Sequence, residues 1–549
     1  MFAKLKNFIK GALRTPPAPL TYMRLGPPGS LKDSNPLMIQ FFTWDCLHET
    51  LSWWKHFEEE IPRLASLGIT QVWLPPPNKA AEPKGRGYDA YDLWDLGEFE
   101  QKGTIETRWG TRKELLHACE VAERHGIDIL IDAVLNHKLG ADRVEEFQAV
   151  PSQEANRLKD AGPPREIHGW TAFDFPGRGE KYSKFRWTQE HFTGVDWDQK
   201  TKTKGIYRIT GPGHKGWSRN VDSELGNYDF LLGVDVTIPD LFLNFFLMVL
   251  TTRKIDHRHP AVVEDLVTWG KWILETTGAV GFRLDAIKHI DQKFMLHWIR
   301  ETRRLSGKKD MFAVSEYWSG NLQLLLPYVK AFKGETAFFD VPLHMNFHQA
   351  SRERTRYDLR RVLCNTVVQA RPNDAVTFVD NHDTVKVEGQ SLESWVGTSF
   401  KVQAYSLILL RGYGYPCLFY GDLYPNKEGY DANVARNIIL LVEARKKFAY
   451  GATEDYLAEK NCIGFVRKGD ATHPGCAVIL SNKEDGESSI THELRMNVGA
   501  RYAGKVFQSH MTQHGRVQVD AKGWGVFSCF ANNVQVWTPL EEESQGVEN

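Results

Sequence analysis

Short, nearly unbroken apolar runs recur along the chain, each ending in polar or charged residues before a stretch with helix-like spacing. Eight stand out, at 37–42, 69–74, 127–134, 279–284, 311–314, 336–339, 375–379 and 417–420. Runs that short and that continuously apolar suit strands buried on both faces, as a parallel sheet covered by helices requires. Between them Glu58 to Leu67, Arg112 to His125 and Val263 to Thr276 repeat apolar positions at helical intervals. Eight strand-then-helix units predict an α/β fold, a closed (β/α)8 TIM barrel. A doubly wound open sheet is the alternative architecture.

The rhythm breaks after the third run. Residues 138–239 are rich in Trp, Gly, Asp and Lys and poor in long apolar runs, which predicts an irregular domain inserted over the barrel mouth. The barrel is then expected in two parts, 34–137 and 240–455. From 456 to 540 the apolar positions alternate or cluster as in antiparallel strands, predicting a C-terminal β-sandwich, with an acidic tail at 541–549. Residues 1–33 read as a basic, Pro-rich lead: Lys4, Lys6, Lys10 and Arg14 alternate with apolar residues, and five prolines stiffen the approach to the folded part. That lead is read as a frayed terminus or as a short amphipathic helix that touches a membrane surface.

Composition narrows the partners. The 68 Lys and Arg nearly cancel the 69 Asp and Glu, so no global basic field exists to hold a nucleic acid. The seven cysteines are scattered and contain no C-x-x-C pair, as expected of reduced thiols. No stretch approaches the roughly 20 apolar residues of a membrane span. With no secretory apolar region and no Asn-x-Ser/Thr acceptor, the expectation is a cytoplasmic, monomeric protein.

In a barrel of this kind the chemistry lies where strands end, because the βα loops converge on one mouth. Asp132, Asn136 and His137 follow the third run; Arg283, Asp285, Lys288 and His289 the fourth; Glu316 the fifth; His382 and Asp383 the seventh. Three carboxylates, Asp285, Glu316 and Asp383, therefore face one space. Paired carboxylates suit glycoside cleavage, where one attacks the sugar and the other protonates the leaving oxygen. Arg283 shares a strand face with Asp285 and would keep it ionised. Glu316 has no cation beside it in sequence, and Tyr317 and Trp318 would desolvate it into an acid. Singly, such residues are more often helix caps or structural histidines. Lys288 also admits a Schiff-base reading, although that chemistry does not call for so many acids.

Four segments, Asp132-Ala-Val-Leu-Asn-His137, Gly281-Phe-Arg-Leu-Asp-Ala-Ile-Lys-His289, Val314-Ser-Glu-Tyr-Trp318 and Phe378-Val-Asp-Asn-His-Asp383, resemble in order the signature regions of the α-amylase family of glycoside hydrolases. Gly87 to Phe99 and Asn227 to Leu232 add similarity to bacterial liquefying amylases and to fungal intracellular ones. The resemblance implies a retaining enzyme on α-1,4-linked glucan, with Asp285 as nucleophile, Glu316 as acid and base, and Asp383 distorting the sugar. It implies that Tyr88 stacks under the reacting glucose, that His137 and His382 donate to its hydroxyls, that Arg283 orients Asp285, and that Lys288 and His289 meet the leaving side.

The resemblance further implies one structural Ca²⁺ held by Asn136, Asp229, Asp235 and the His289 carbonyl, all oxygen donors suited to a hard cation. Further ions are not implied, because Ser218 and Thr237 stand where relatives carry acids. Thr43 likewise replaces an acidic residue on the first strand. Three functions remain open: hydrolysis of internal α-1,4 bonds of starch, glycogen or maltooligosaccharides, 4-α-glucanotransfer linked to cell-wall α-glucan synthesis, and a non-catalytic amylase-like binding module. The three retained carboxylates oppose the last.

Overall fold

The computed structural model describes residues 20, 23–27, 35–153, 156–211, 216–221, 253–385, 392, 394–484, 491–512 and 515–540. Eight strands close into a barrel: β1 (Met38–Gln40), β2 (Gln71–Trp73), β3 (Asp128–Ala133), β4 (Gly281–Leu284), β5 (Phe312–Ser315), β6 (Ala337–Phe339), β7 (Ala375–Phe378) and β8 (Tyr415–Phe419). Consecutive strands pair in parallel all the way round, and β8 meets β1 with Met38 opposite Cys417. Every residue in these strands is buried, which explains runs without alternation. All eight predicted runs fall on barrel strands.

The principal helices are α1 (Trp53–Leu67), α2 (Arg112–Arg124), α3 (Pro260–Thr277), α4 (Gln292–Ser306), α5 (Leu322–Phe332), α6 (Val341–Glu353), α7 (Thr398–Leu410) and α8 (Ala432–Phe448). Their ends are written locally. Ser52 caps α1 by accepting from Lys55 N, Gly68 ends it in the left-handed region, and Thr111 and Glu114 cap α2 reciprocally. α7 is buried on nearly every side, its outer face lying against the C-terminal sheet.

The insert after β3 holds more regular structure than its composition suggests. Strands His137–Lys138, Arg253–Ile255, Phe192–Asp198, Thr203–Ile209, Arg143–Ser152 and Arg165–Ala172 form, in that order, one antiparallel sheet. Several alternate buried and exposed positions, so they lack the solid apolar runs that betray barrel strands. The C-terminal part has a six-stranded antiparallel sheet facing the pair Thr491–Asn497 and Trp524–Phe530. Val466, Ile479, Met496, Phe507 and Phe527 fill the space between.

The expectation that residues before 34 only lead into the fold is corrected by the barrel floor. Leu20 and Leu25 are buried in the main core. Arg24 Nε donates to Asp128 at 2.7 Å, Gln71 Nε2 donates to Arg24 O at 2.8 Å, and Thr70 Oγ1 donates to Leu25 O at 2.7 Å. All these partners sit where strands begin, so the segment seals the pole opposite the catalytic loops. The described cysteines are unpaired, and all but Cys364 are buried. No helix among the described residues is long and apolar enough to cross a membrane.

Candidate active site

The ends of β3, β4, β5 and β7 bring four buried carboxylates, Asp132, Asp285, Glu316 and Asp383, to the barrel mouth around one cation, Arg283. Arg283 lies inside β4, two residues before Asp285, so both side chains leave the strand on the same side. Its Nη1 donates to Asp132 Oδ1 at 2.9 Å and to Asp285 Oδ1 at 2.7 Å. Its Nη2 stands 3.0 Å from Glu316 Oε1.

That last contact gives Glu316 a cation that its sequence neighbours do not supply. Sequence adjacency missed it because the partner comes from the neighbouring strand. β4 and β5 run in register with Arg283 opposite Val314, which leaves Glu316, just past the end of β5, within the guanidinium's reach. The other Glu316 oxygen accepts from Ala286 N at 3.0 Å. Ala286 holds a left-handed φ of 47°, an uncommon conformation for a residue with a Cβ, and this turns its N–H toward Glu316. Tyr317 packs against Tyr328, and Trp318 lies tilted against His344 and Phe378.

Burial pushes all four acids upward, and Arg283 pulls each back toward the charged form. Asp383 is driven well above the ordinary carboxylate range, by burial first and then by the charges of Glu316 and Asp285. Four carboxyls around one guanidinium repel one another when charged, which favours keeping protons within the cluster. Asp285 Oδ2 is buried and has no hydrogen-bond partner among the described residues.

Aromatic rings line one side. Tyr88 donates its hydroxyl to Asp132 at 2.8 Å, and its ring lies 5.1 Å from that of His382, within 7° of parallel. The Gln40 amide meets His382 Nδ1 at 2.9 Å and can only donate there, which places the imidazole proton on Nε2, 3.5 Å from Asp383 Oδ2. Burial and Arg283 hold His382 well below its usual range, hence neutral. His137 has both ring nitrogens engaged by protein: Nε2 donates to Tyr88 O at 2.8 Å, and Nδ1 accepts from Asn136 at 3.3 Å. Its expected donation to a sugar hydroxyl therefore competes with a backbone contact. Lys288 Nζ donates to Trp318 O at 3.2 Å, and buried His289 follows on the same short turn.

Of the expected calcium ligands, Asn136 and His289 are buried, whereas Asp229 and Asp235 lie outside the described residues. Asn136 Oδ1 is buried with no hydrogen-bond partner among the described residues, which suits a cation ligand. A separate grouping, Glu146, Glu166 and His168, lies on the insert surface, where Lys200 already pairs with Glu166 at 2.8 Å. Ser218 donates to Asp291, the cap of α4, at 2.6 Å.

Asp132, placed at a strand end by the sequence, carries no expected role there, and Gln40 is a site residue that the sequence does not mark. Asp132 opens the segment that ends in His137 and was legible there. Gln40 stands in an apolar run with nothing to mark it.

A family model for the alpha-amylase catalytic domain matches residues 46–211 and 233–439. This chain belongs to the alpha-amylase family. It is accordingly a glycoside hydrolase. Among alpha-amylase relatives, a glucan 1,4-alpha-maltohexaosidase from Bacillus sp. (strain 707) is 42% identical, covering 92% of each chain. The cytoplasmic alpha-amylase of Escherichia coli is 37% identical over 92% of this chain and 99% of its own. An alpha-amylase from Geobacillus thermoleovorans, solved with acarbose, shares the fold with a TM-score of 0.58 at 16% identity, covering 93% of this chain and 99% of that one.

Proposed function

We propose that this alpha-amylase family enzyme cleaves internal α-1,4 bonds of starch, glycogen or maltooligosaccharides with retention at the anomeric carbon. The observation that carries the reading is the pair of Asp285 oxygens. One is tied to Arg283 at 2.7 Å, while the other makes no hydrogen bond among the described residues, which leaves its lone pairs uncommitted. The attacking atom is Asp285 Oδ2; as its bond to the anomeric carbon forms, the glycosidic C–O bond breaks and Glu316 hands its proton to the departing oxygen. Glu316 then takes a proton from water, which displaces Asp285 and regenerates both groups. Asp383, which burial and the neighbouring Glu316 and Asp285 push well above the ordinary carboxylate range, binds sugar hydroxyls. Tyr88 and His382 supply a flat wall for the pyranose, with Lys288 and His289 on the leaving side.

Asn136, Asp229, Asp235 and the His289 carbonyl would hold Ca²⁺, which when bound supplies a structural clamp rather than a reactive group. The sequence-based division is a barrel at 34–137 and 240–455, an insert at 138–239 and a sandwich at 456–540; we propose moving the end of the insert to Ile255, because Arg253–Ile255 pairs with the insert's strands. A cytoplasmic location fits the naming of one relative as a cytoplasmic enzyme.

Incubation with maltoheptaose tests the reading. Reducing ends should rise, and Asp285→Asn should abolish the rise while the protein remains folded. Longer oligomers at constant reducing ends would instead establish glucanotransfer, and activity of Asp285→Asn within about tenfold of the parent would remove Asp285 as nucleophile.

A further inference from the structure

We infer that Glu428, on the loop after β8, is a positioning residue for sugar binding that acts through Trp44; this rests on the glucan-cleaving reading above. Thr43, three residues past the end of β1, stands where an acidic side chain was expected, and the structure brings a carboxylate to that place from the other end of the barrel sequence. Glu428 Oε1 accepts from the Thr43 hydroxyl at 2.6 Å and from Asp45 N at 2.8 Å, while Oε2 accepts from Trp44 N at 3.2 Å. Glu428 is itself set by Asn426, whose side-chain oxygen accepts from Glu428 N at 2.7 Å and whose amide donates to Gly421 O at 2.7 Å.

An ionised carboxylate only accepts, so three donors converging on its two oxygens match its chemistry, and charge strengthens each bond. The donors come from three consecutive residues, 43 to 45, which fixes the direction in which the backbone presents Trp44. The Trp44 indole lies 5.8 Å from the Tyr88 ring at 15° and 5.8 Å from the His382 ring at 16°. Trp44 thereby adds a third, nearly parallel ring to the aromatic side of the site. Arg86 steadies the same residue: its guanidinium lies 4.7 Å from the indole centroid and its Nε donates to Trp44 O at 2.7 Å. A pyranose packs its C–H faces on such rings, and a wall set before the sugar arrives binds it without first losing side-chain freedom.

The experiment is a double-mutant cycle on maltoheptaose with Glu428→Ala, Glu428→Gln, Trp44→Ala and the two doubles. Glu428→Ala should raise KM about tenfold, with kcat within about threefold, because the wall contacts the sugar in ground state and transition state alike. Glu428→Gln keeps the shape but turns one N–H against a donor, so its KM should rise about threefold. Each double mutant should be no worse than Trp44→Ala alone, since Glu428 works through that ring. A fully active wild type whose KM stays unmoved in Glu428→Gln, or losses that simply add, would overturn the inference. If Glu428→Ala does not fold, the cycle built on Glu428→Gln decides. A wild type that releases no reducing ends would instead bring down the glucan-cleaving reading.

Discussion

Arg283 Nη2 stands 3.0 Å from Glu316 Oε1, so the cation expected to serve Asp285 also grips the proposed acid. A planar fork with two separate nitrogens can hold carboxylates on adjacent strands at once, which a point charge cannot. Arg283→Lys should therefore cost about a hundredfold or more in kcat/KM even though the charge is kept. Steady-state kinetics on maltoheptaose checks this; a loss under about threefold would mean that the fork geometry is immaterial.

Lys288 is among the charges that hold Glu316 down against the upward push of burial. With the acid protonated in the active form, kcat/KM falls on the alkaline side as Glu316 loses its proton. Lys288→Met removes a cation that lowers this group, so the acid keeps its proton to higher pH and the alkaline limb shifts upward. The pH profile of kcat/KM reads the shift. A limb that moves down, or stays put, would contradict the assignment of Glu316 as the acid.

Behind His382 and Asp383 lies a buried ionic triad. Lys401 Nζ is 2.8 Å from Asp380 and 2.6 Å from Asp422, with Tyr405 donating to Asp422 at 2.6 Å and Thr384 to Asp380 at 2.9 Å. Lys401→Met leaves two acids buried without their cation, and should cost about 3 to 5 kcal/mol of stability. Denaturant unfolding measures it. Burial raises both acids, so in the variant they should take up protons and part of the loss should be recovered as pH falls.

Chelation should lower the melting temperature, because a ligand bound to the native state alone stabilises it by mass action. Asn136→Ala should reproduce most of that loss and blunt any further effect of chelator. An unchanged melting curve in excess chelator, together with no calcium by elemental analysis, would remove the metal site.

How much of this was legible depended on whether the signal was local. The eight barrel strands announced themselves because both faces are buried, so continuous runs such as Ile127 to Val134 could serve little else. The carboxylates at strand ends were equally visible, since parallel strands fix which end is the mouth. Contacts across strands were not. Nothing near Glu316 in sequence names Arg283, and nothing near Thr43 names Glu428, 385 positions on. The insert's strands alternate instead of running apolar, and the buried Leu20 and Leu25 sit among prolines and basic residues without any period to betray them.

That N-terminal plug has a practical consequence. Its attachments to Thr70, Gln71 and Asp128 lie at the pole remote from the catalytic carboxylates. A reporter or immobilisation handle joined upstream of Leu20 would thus leave polysaccharide access untouched, whereas trimming the gene back to codon 34 would unseat the floor on which every catalytic stave stands.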